Sequence, residues 1–159
     1  MRKWELKVAS QTDVQATMQQ LTDHMNEKQR DVFRDKLLRY VRKPDRDLIL
    51  AVRGREILGL VCIIDKGEFP PGFPSDKMDY LRNFALGTQL LVHPSMRRRG
   101  IGSSLLLRAE LWARERGRAG HWIITHRKAD WYRQTFSYQE IARISSKGVK
   151  KIVMAKKFE

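Results

Sequence analysis

Apolar and polar positions follow a period of two at the start of the chain and a helical period soon after. Trp4, Leu6 and Val8 alternate with Lys3, Glu5 and Lys7, which predicts a strand with one buried face. Ser10 and Asp13 have the spacing of a variant capping box, and Val14, Met18, Leu21 and Met25 follow at helical spacing. A second helix is predicted from about Glu27 to Tyr40, with Phe33, Leu37, Tyr40 and Val41 inward and Pro44 as its stop. Residues 48–52 and 57–64 are β-rich runs joined by Arg53, Gly54, Arg55 and Glu56, a hairpin signal. Residues 66–80, with Pro70, Pro71, Gly72 and Pro74, show no periodicity and predict a long loop of the lid or disordered kind, to which Phe69 and Phe73 give packing surface. Residues 84–92 resume as a strand.

The stretch around which the rest is organised is residues 90–117, LLVHPSMRRRGIGSSLLLRAELWARERG. An apolar strand end is followed by a basic, glycine-punctuated turn and then by a helix. Ile101, Leu105, Ala109 and Trp112 form one buried face of that helix, with Leu106 and Ala113 beside it. Leu107 and Leu111 lie elsewhere, which predicts a helix contacted on two sides. Gly117 and Gly120 close it. A short strand at residues 122–125, a short helix at 129–136 and a hairpin of 141–144 with 149–155 complete the chain, with no repeat and no second domain. The expectation is one domain over residues 1–159.

Strand, glycine turn and helix in that order build an anion site. The first N–H groups of a helix lack intrahelical partners, the helix dipole adds positive potential, and glycine lets backbone approach a phosphate. Arg97, Arg98, Arg99, Gly100, Ile101, Gly102 and Ser103 would hold a pyrophosphate. A Walker A loop needs a Gly-Lys-Ser/Thr ending, which is missing, and a dinucleotide fingerprint needs a small residue where Leu105 stands.

Composition narrows the setting. Thirty-two Lys and Arg against 18 Asp and Glu leave a net charge of +14, which favours anionic partners such as coenzyme A, nucleic acid or an acidic protein. Cys62 is the single cysteine, so an intrachain disulfide and a thiolate metal cluster are excluded and a cytoplasmic location is expected. No apolar run approaches the roughly 20 residues that span a bilayer, and the N-terminus does not read as a signal peptide. His24, His93, His121 and His126 show no ligand spacing, so no metal is expected.

The run Val92-His93-Pro94 followed by Arg97-x-x-Gly100-x-Gly102 resembles the acetyl-coenzyme A loop of the GNAT superfamily of N-acyltransferases. A second segment, ADWYRQTFSYQEI at residues 129–141, is similar to the family's A-x-x-F-Y-x-x-x-G-F-x-x-I, with Ser137 at its glycine. The element order β-α-α-β-β-β-α-β-α-β-β agrees over nearly the whole chain. The resemblance implies an α/β (α+β) fold: a mixed, mostly antiparallel sheet of about seven strands, about four flanking helices, and central strands splayed at the coenzyme site. It implies acetyl-CoA as cosubstrate, bound by Leu91, Val92 and the turn Arg97–Ser103, with direct attack by a primary amine in a ternary complex. It also implies a tyrosine that protonates the leaving thiolate.

Here the chain departs from the pattern, because that tyrosine position is Arg133, and Tyr132 stands one residue earlier. Tyr132 as donor, Arg133 as electrostatic support for the thiolate, an unaided thiolate and Tyr132 as plain core packing all stay open. Glu56, Asp65, Glu68 and Asp79 lie near the strands and the long loop, and each reads more readily as a solvated charge than as the base. His93 before Pro94 reads as structural. Two alternatives to a small-molecule, peptide or protein amine follow from the charge: an RNA-associated acceptor such as aminoacyl-tRNA or a ribosomal protein, or a non-catalytic acyl-CoA- or nucleic-acid-binding domain. A homodimer is compatible with all of these.

Overall fold

A computed structural model describes residues 3–159. In chain order the elements are β1 (Glu5–Val8), α1 (Gln11–Leu21), α2 (Glu27–Arg42), β2 (Arg46–Arg53), β3 (Glu56–Ile64), α3 (Ser75–Leu81), β4 (Phe84–Val92), α4 (Ile101–Glu115), β5 (Gly120–Thr125), α5 (Ala129–Phe136), β6 (Gln139–Ser146) and β7 (Val149–Lys157). The strand order is β1-β2-β3-β4-β5-β7-β6. β1 and β2, β5 and β7, and β6 and β7 pair antiparallel, and β4 and β5 pair parallel. This is the mostly antiparallel seven-stranded sheet expected, with five α-helices where about four were expected.

The chain clusters into two compact units. The first runs up to Ile63 and adds Gln89–Ala109, and the second holds Ile64–Thr88 and Glu110–Glu159. In the first, α1 starts where the Asp13 carboxylate accepts the Ser10 N–H at 2.8 Å, as the capping box predicts. Val14, Met18 and Leu21 of α1 and Phe33, Leu37 and Tyr40 of α2 are buried. Every residue of β3 after Glu56 is buried, which explains a continuous apolar run in place of an alternating one. A Cβ on Gly59 would lie 2.8 Å from the Leu91 carbonyl oxygen and 3.1 Å from Leu105 Cδ1, so β3 has room there only for glycine. Cys62 is fully buried in the same strand, a small core residue as expected.

The second unit corrects the long-loop expectation. Residues 66–80 are not one long loop: Ser75–Leu81 is helix, and Phe73 and Leu81 are buried in a cluster with Phe84, Leu86, Trp122, Val153 and Ala155. The Phe69 ring stacks on Trp122 at 5.2 Å, and Phe73 meets the same indole edge-on at 5.7 Å. Seven helical residues are too few to display a period, and the prolines before them hide the start. Asp65 receives Arg118 on both carboxylate oxygens, at 2.5 and 3.1 Å.

One burial expectation holds only in part and another fails. β1 forms with Trp4 and Leu6 half-buried between exposed Lys3, Glu5 and Lys7, but Val8 is half exposed. β1 pairs with β2 through its backbone, and that pairing does not require side-chain burial. Ile101, Leu105, Leu106, Ala109, Trp112 and Ala113 of α4 are buried as expected, whereas Leu107 and Leu111 are exposed at 54% and 48%, so α4 is not packed on two sides.

Candidate functional site

The first unit carries the basic loop. His93 N–H donates to the Leu58 carbonyl at 2.8 Å, holding the end of β4 to β3. His93 Nδ1 accepts the Ser95 N–H at 3.1 Å and lies 2.7 Å from Ser95 Oγ, which caps the 3-10 turn Pro94–Met96. His93 therefore acts structurally. Arg97 Nε donates to the Val92 carbonyl at 3.4 Å. Arg98 and Gly100 then take positive φ, 63° and 87°. Such turns aim successive backbone N–H groups into one concavity. They deliver the chain to the start of α4, where Ser104 N–H bonds the Gly100 carbonyl at 3.0 Å. The N–H groups of Ile101, Gly102 and Ser103 precede that first helical bond and have no helical partner. Ile101 is buried and anchors the turn; Arg97, Arg98 and Arg99 are exposed. Leu91 and Val92 are half-buried at the end of β4.

The β4–β5 ladder registers Phe84 with Gly120 through Gly87 with Ile123 and stops there, although β4 runs on to Val92 and β5 to Thr125. The backbone groups past that point are not engaged by the ladder.

The second unit holds the two candidates for the leaving-group step. Tyr132 is 5% exposed, and burial pushes its phenol up to about 12, so it carries its proton at neutral pH. Its ring lies 5.0 Å from Trp131 and 5.4 Å from Tyr138. Arg133 points elsewhere: its Nη1 donates to Asp130 Oδ1 at 2.6 Å, with the side chain nearly half exposed. α5 ends with Ser137 at φ 61°, with Ser137 N–H on the Arg133 carbonyl (3.1 Å) and Tyr138 N–H on the Tyr132 carbonyl (3.2 Å). A left-handed residue whose N–H bonds the carbonyl four residues back is the αL form of helix cap. Serine holds the left-handed position that the family motif gives to glycine.

Sequence reading missed one group of residues in this unit. Glu110, 4% exposed, accepts from Tyr138 Oη (3.1 Å) and Lys156 Nζ (3.0 Å). Tyr138 Oη lies 2.7 Å from Nδ1 of the fully buried His121. Burial, reinforced by the Lys156 charge, pushes His121 down to about 3, so its ring is neutral. Burial and the Glu110 carboxylate push the Tyr138 phenol up. A signal was present: Glu110 follows Leu106 by four residues and precedes Ala113 by three, a carboxylate on an apolar helical face.

The carboxylates considered as bases are mostly engaged. Glu56 receives Arg53 at 3.2 and 3.1 Å, Asp65 receives Arg118, Asp79 receives Arg82 at 2.5 Å, and Glu68 is exposed. Among the described residues no group of three or more His, Cys, Asp or Glu is placed to hold a metal ion. No helix among them is long and apolar enough to cross a membrane.

A family model described as the acetyltransferase (GNAT) family matches residues 14–136. The chain belongs to that family. The matched span takes in both the basic loop and α5 of this acetyltransferase. Its fold is similar to that of the PaiA N-acetyltransferase of Thermoplasma acidophilum in complex with coenzyme A, with 16% identity, a TM-score of 0.70, and 99% of this chain and 100% of that one covered. YncA of Salmonella typhimurium, solved with its cofactor acetyl-CoA, matches with 13% identity, TM-score 0.69 and 99% and 95% coverage. A spermidine N-acetyltransferase SpeG chimera from Vibrio cholerae and hSSAT matches with 11% identity, TM-score 0.69 and 98% and 96% coverage. Comparison with curated protein sequences finds no match for the acetyltransferase.

Proposed function

We propose that this acetyltransferase moves the acetyl group of acetyl-CoA to a primary amine by direct attack within a ternary complex. The observation that carries the reading is the loop Arg97–Ser103. Two positive-φ residues there turn backbone N–H groups toward a helix start flanked by three exposed arginines. The diphosphate of coenzyme A matches that arrangement in charge and in its need for N–H donors. Leu91 and Val92 would offer backbone groups to the amides of the pantetheine arm.

The amine nitrogen attacks the thioester carbonyl carbon, the new C–N bond forms, and the C–S bond breaks to release the coenzyme thiolate. The ammonium proton leaves to water, and the thiolate takes a proton. Holding both reactants in one complex supplies much of the acceleration. We assign thiolate protonation to Tyr132. Its phenol stays protonated, and its hydroxyl has no hydrogen-bond partner among the described residues, whereas Arg133 is occupied by Asp130.

Saturating acetyl-CoA at 100 times its Kd should stabilise the protein by about 2.7 kcal/mol, a shift of several degrees in Tm. Gly100→Val should abolish that shift while the protein stays folded, because a β-branched residue resists φ 87° and would turn the loop's N–H groups away from their present direction. An unchanged shift in the folded variant would remove the loop from the site. Release of coenzyme A, screened across small amines, peptides and aminoacyl-tRNA, would then name the acceptor.

A further inference from the structure

A buried carboxylate needs a reason to be where it is. Glu110 sits on the inner face of α4 at 4% exposure, and each of its oxygens meets one donor, Lys156 Nζ or Tyr138 Oη. Tyr138 has one phenolic proton. Given to Glu110, it leaves the Tyr138 oxygen to accept, and the group 2.7 Å away, His121 Nδ1, must carry a proton. His121 is then the neutral Nδ1–H tautomer. Its Nε2 is a bare lone pair, buried and without a hydrogen-bond partner, against Gly87, where a Cβ would come within 2.7 Å of that nitrogen. An unpaired buried acceptor and a buried ion pair are both costly, and apolar side chains of similar volume would pack without those penalties. The chain buys geometry with them.

That geometry concerns Tyr132. The Tyr138 hydroxyl is fixed from two sides, by the α4 carboxylate and the β5 imidazole. The Tyr138 backbone N–H is bonded to the Tyr132 carbonyl at 3.2 Å, and the two rings lie 5.4 Å apart at 58°. Trp131 also meets the Tyr132 ring, edge-on at 5.0 Å. The orientation of Tyr132 therefore depends on Tyr138, and that of Tyr138 on Glu110.

We propose that Glu110, acting through Tyr138, is a positioning residue for acetyl transfer: it fixes the ring and hydroxyl direction of Tyr132. The proposal rests on the assignment of Tyr132 as proton donor.

The test is fluorine NMR of protein labelled with 3-fluorotyrosine, the Tyr132 resonance being assigned by its loss in Tyr132→Phe. The wild type should give one sharp Tyr132 resonance that shifts on addition of acetyl-CoA. Glu110→Gln and Tyr138→Phe should broaden or split it and at least halve the acetyl-CoA-induced shift. Tyr138→Phe keeps the ring and the α5 cap, so the experiment stays readable if Glu110→Gln does not fold. A resonance that is equally sharp and unshifted in both folded variants would overturn the proposal. If the wild-type resonance ignores acetyl-CoA while Tm still rises with it, Tyr132 is not at the reacting end. The ligand-free comparison then still decides whether Glu110 holds the ring. Nitrogen-15 shifts of His121 supply the companion signature. They should report Nδ1–H in the wild type and a mixture of tautomers in Tyr138→Phe, where nothing selects between the two nitrogens.

Discussion

His121 shows how one residue can shape the pH response of the fold. Its ring stays neutral down to about 3 in the native state, whereas an unfolded histidine takes a proton near 6.5. Between those values the unfolded state binds the extra proton, so stability falls as pH drops from about 6.5 toward 3, at up to ~1.4 kcal/mol per pH unit from this group. Urea melts across that range should show the loss, and His121→Phe should flatten the slope while lowering stability at neutral pH. A slope unchanged in the variant would place the titration elsewhere. Nothing near His121 in the sequence announces this, because its partner Tyr138 stands 17 residues away, and Glu110, which holds Tyr138, stands 28 residues from Tyr138, in contacts that only the fold creates. Ser137 was more legible. The family motif marks its position as glycine, and the chain indeed turns left-handed there, at φ 61°. The difference in setting between Tyr132 and Arg133, on which the proposed proton donor rests, was not legible, since the two are neighbours in sequence and only burial and the Asp130 ion pair separate them.

Among the elements, β3 approaches both β4 and α4 closely at Gly59. Gly59→Ala would set a methyl 2.8 Å from the Leu91 carbonyl and 3.3 Å from Ile101 Cγ2, and a backbone oxygen cannot rotate aside. Overpacking of this kind costs about 1–3 kcal/mol, or several degrees of Tm. Because the displaced group is the end of β4, acetyl-CoA should also stabilise the variant less than the wild type. Paired thermal melts with and without the ligand check both effects, and an undiminished shift would take Leu91 out of the cofactor contacts. β4 and α4 were readable because their apolar runs are long and their ends are punctuated by His93-Pro94, Gly100 and Gly117, whereas the eight-residue α5 was legible through the family motif that ends at Ser137. α3 was not readable, since its seven residues bury only Leu81 and lean on Phe69, Phe73 and Trp122 from outside the helix. The outward Leu107 and Leu111 misled for the opposite reason: leucine favours helix wherever it sits, and apolarity alone does not say which faces are covered.

For the whole molecule the dominant quantity is +14. Arginines 97, 98 and 99 are exposed at the proposed diphosphate site, so acetyl-CoA affinity should weaken severalfold between 0.05 and about 0.3 M salt. Calorimetric titration at two ionic strengths would show it, and a salt-independent Kd would mean that the backbone N–H groups alone hold the phosphates. Fold class could be read from the element order, because strands and helices of these lengths in this sequence have few ways to bury their faces. The acceptor could not, because an acceptor pocket is shaped by connections whose side chains follow no period. The single thiol gives the first unit a clock. Cys62 has no exposure, and burial pushes its thiol up to about 12, so a disulfide reagent has neither access nor thiolate to attack while the fold is closed. Labelling with Ellman's reagent should therefore proceed only through transient opening. Its rate, read against that of the unfolded chain, would measure the free energy of that opening in water without any denaturant.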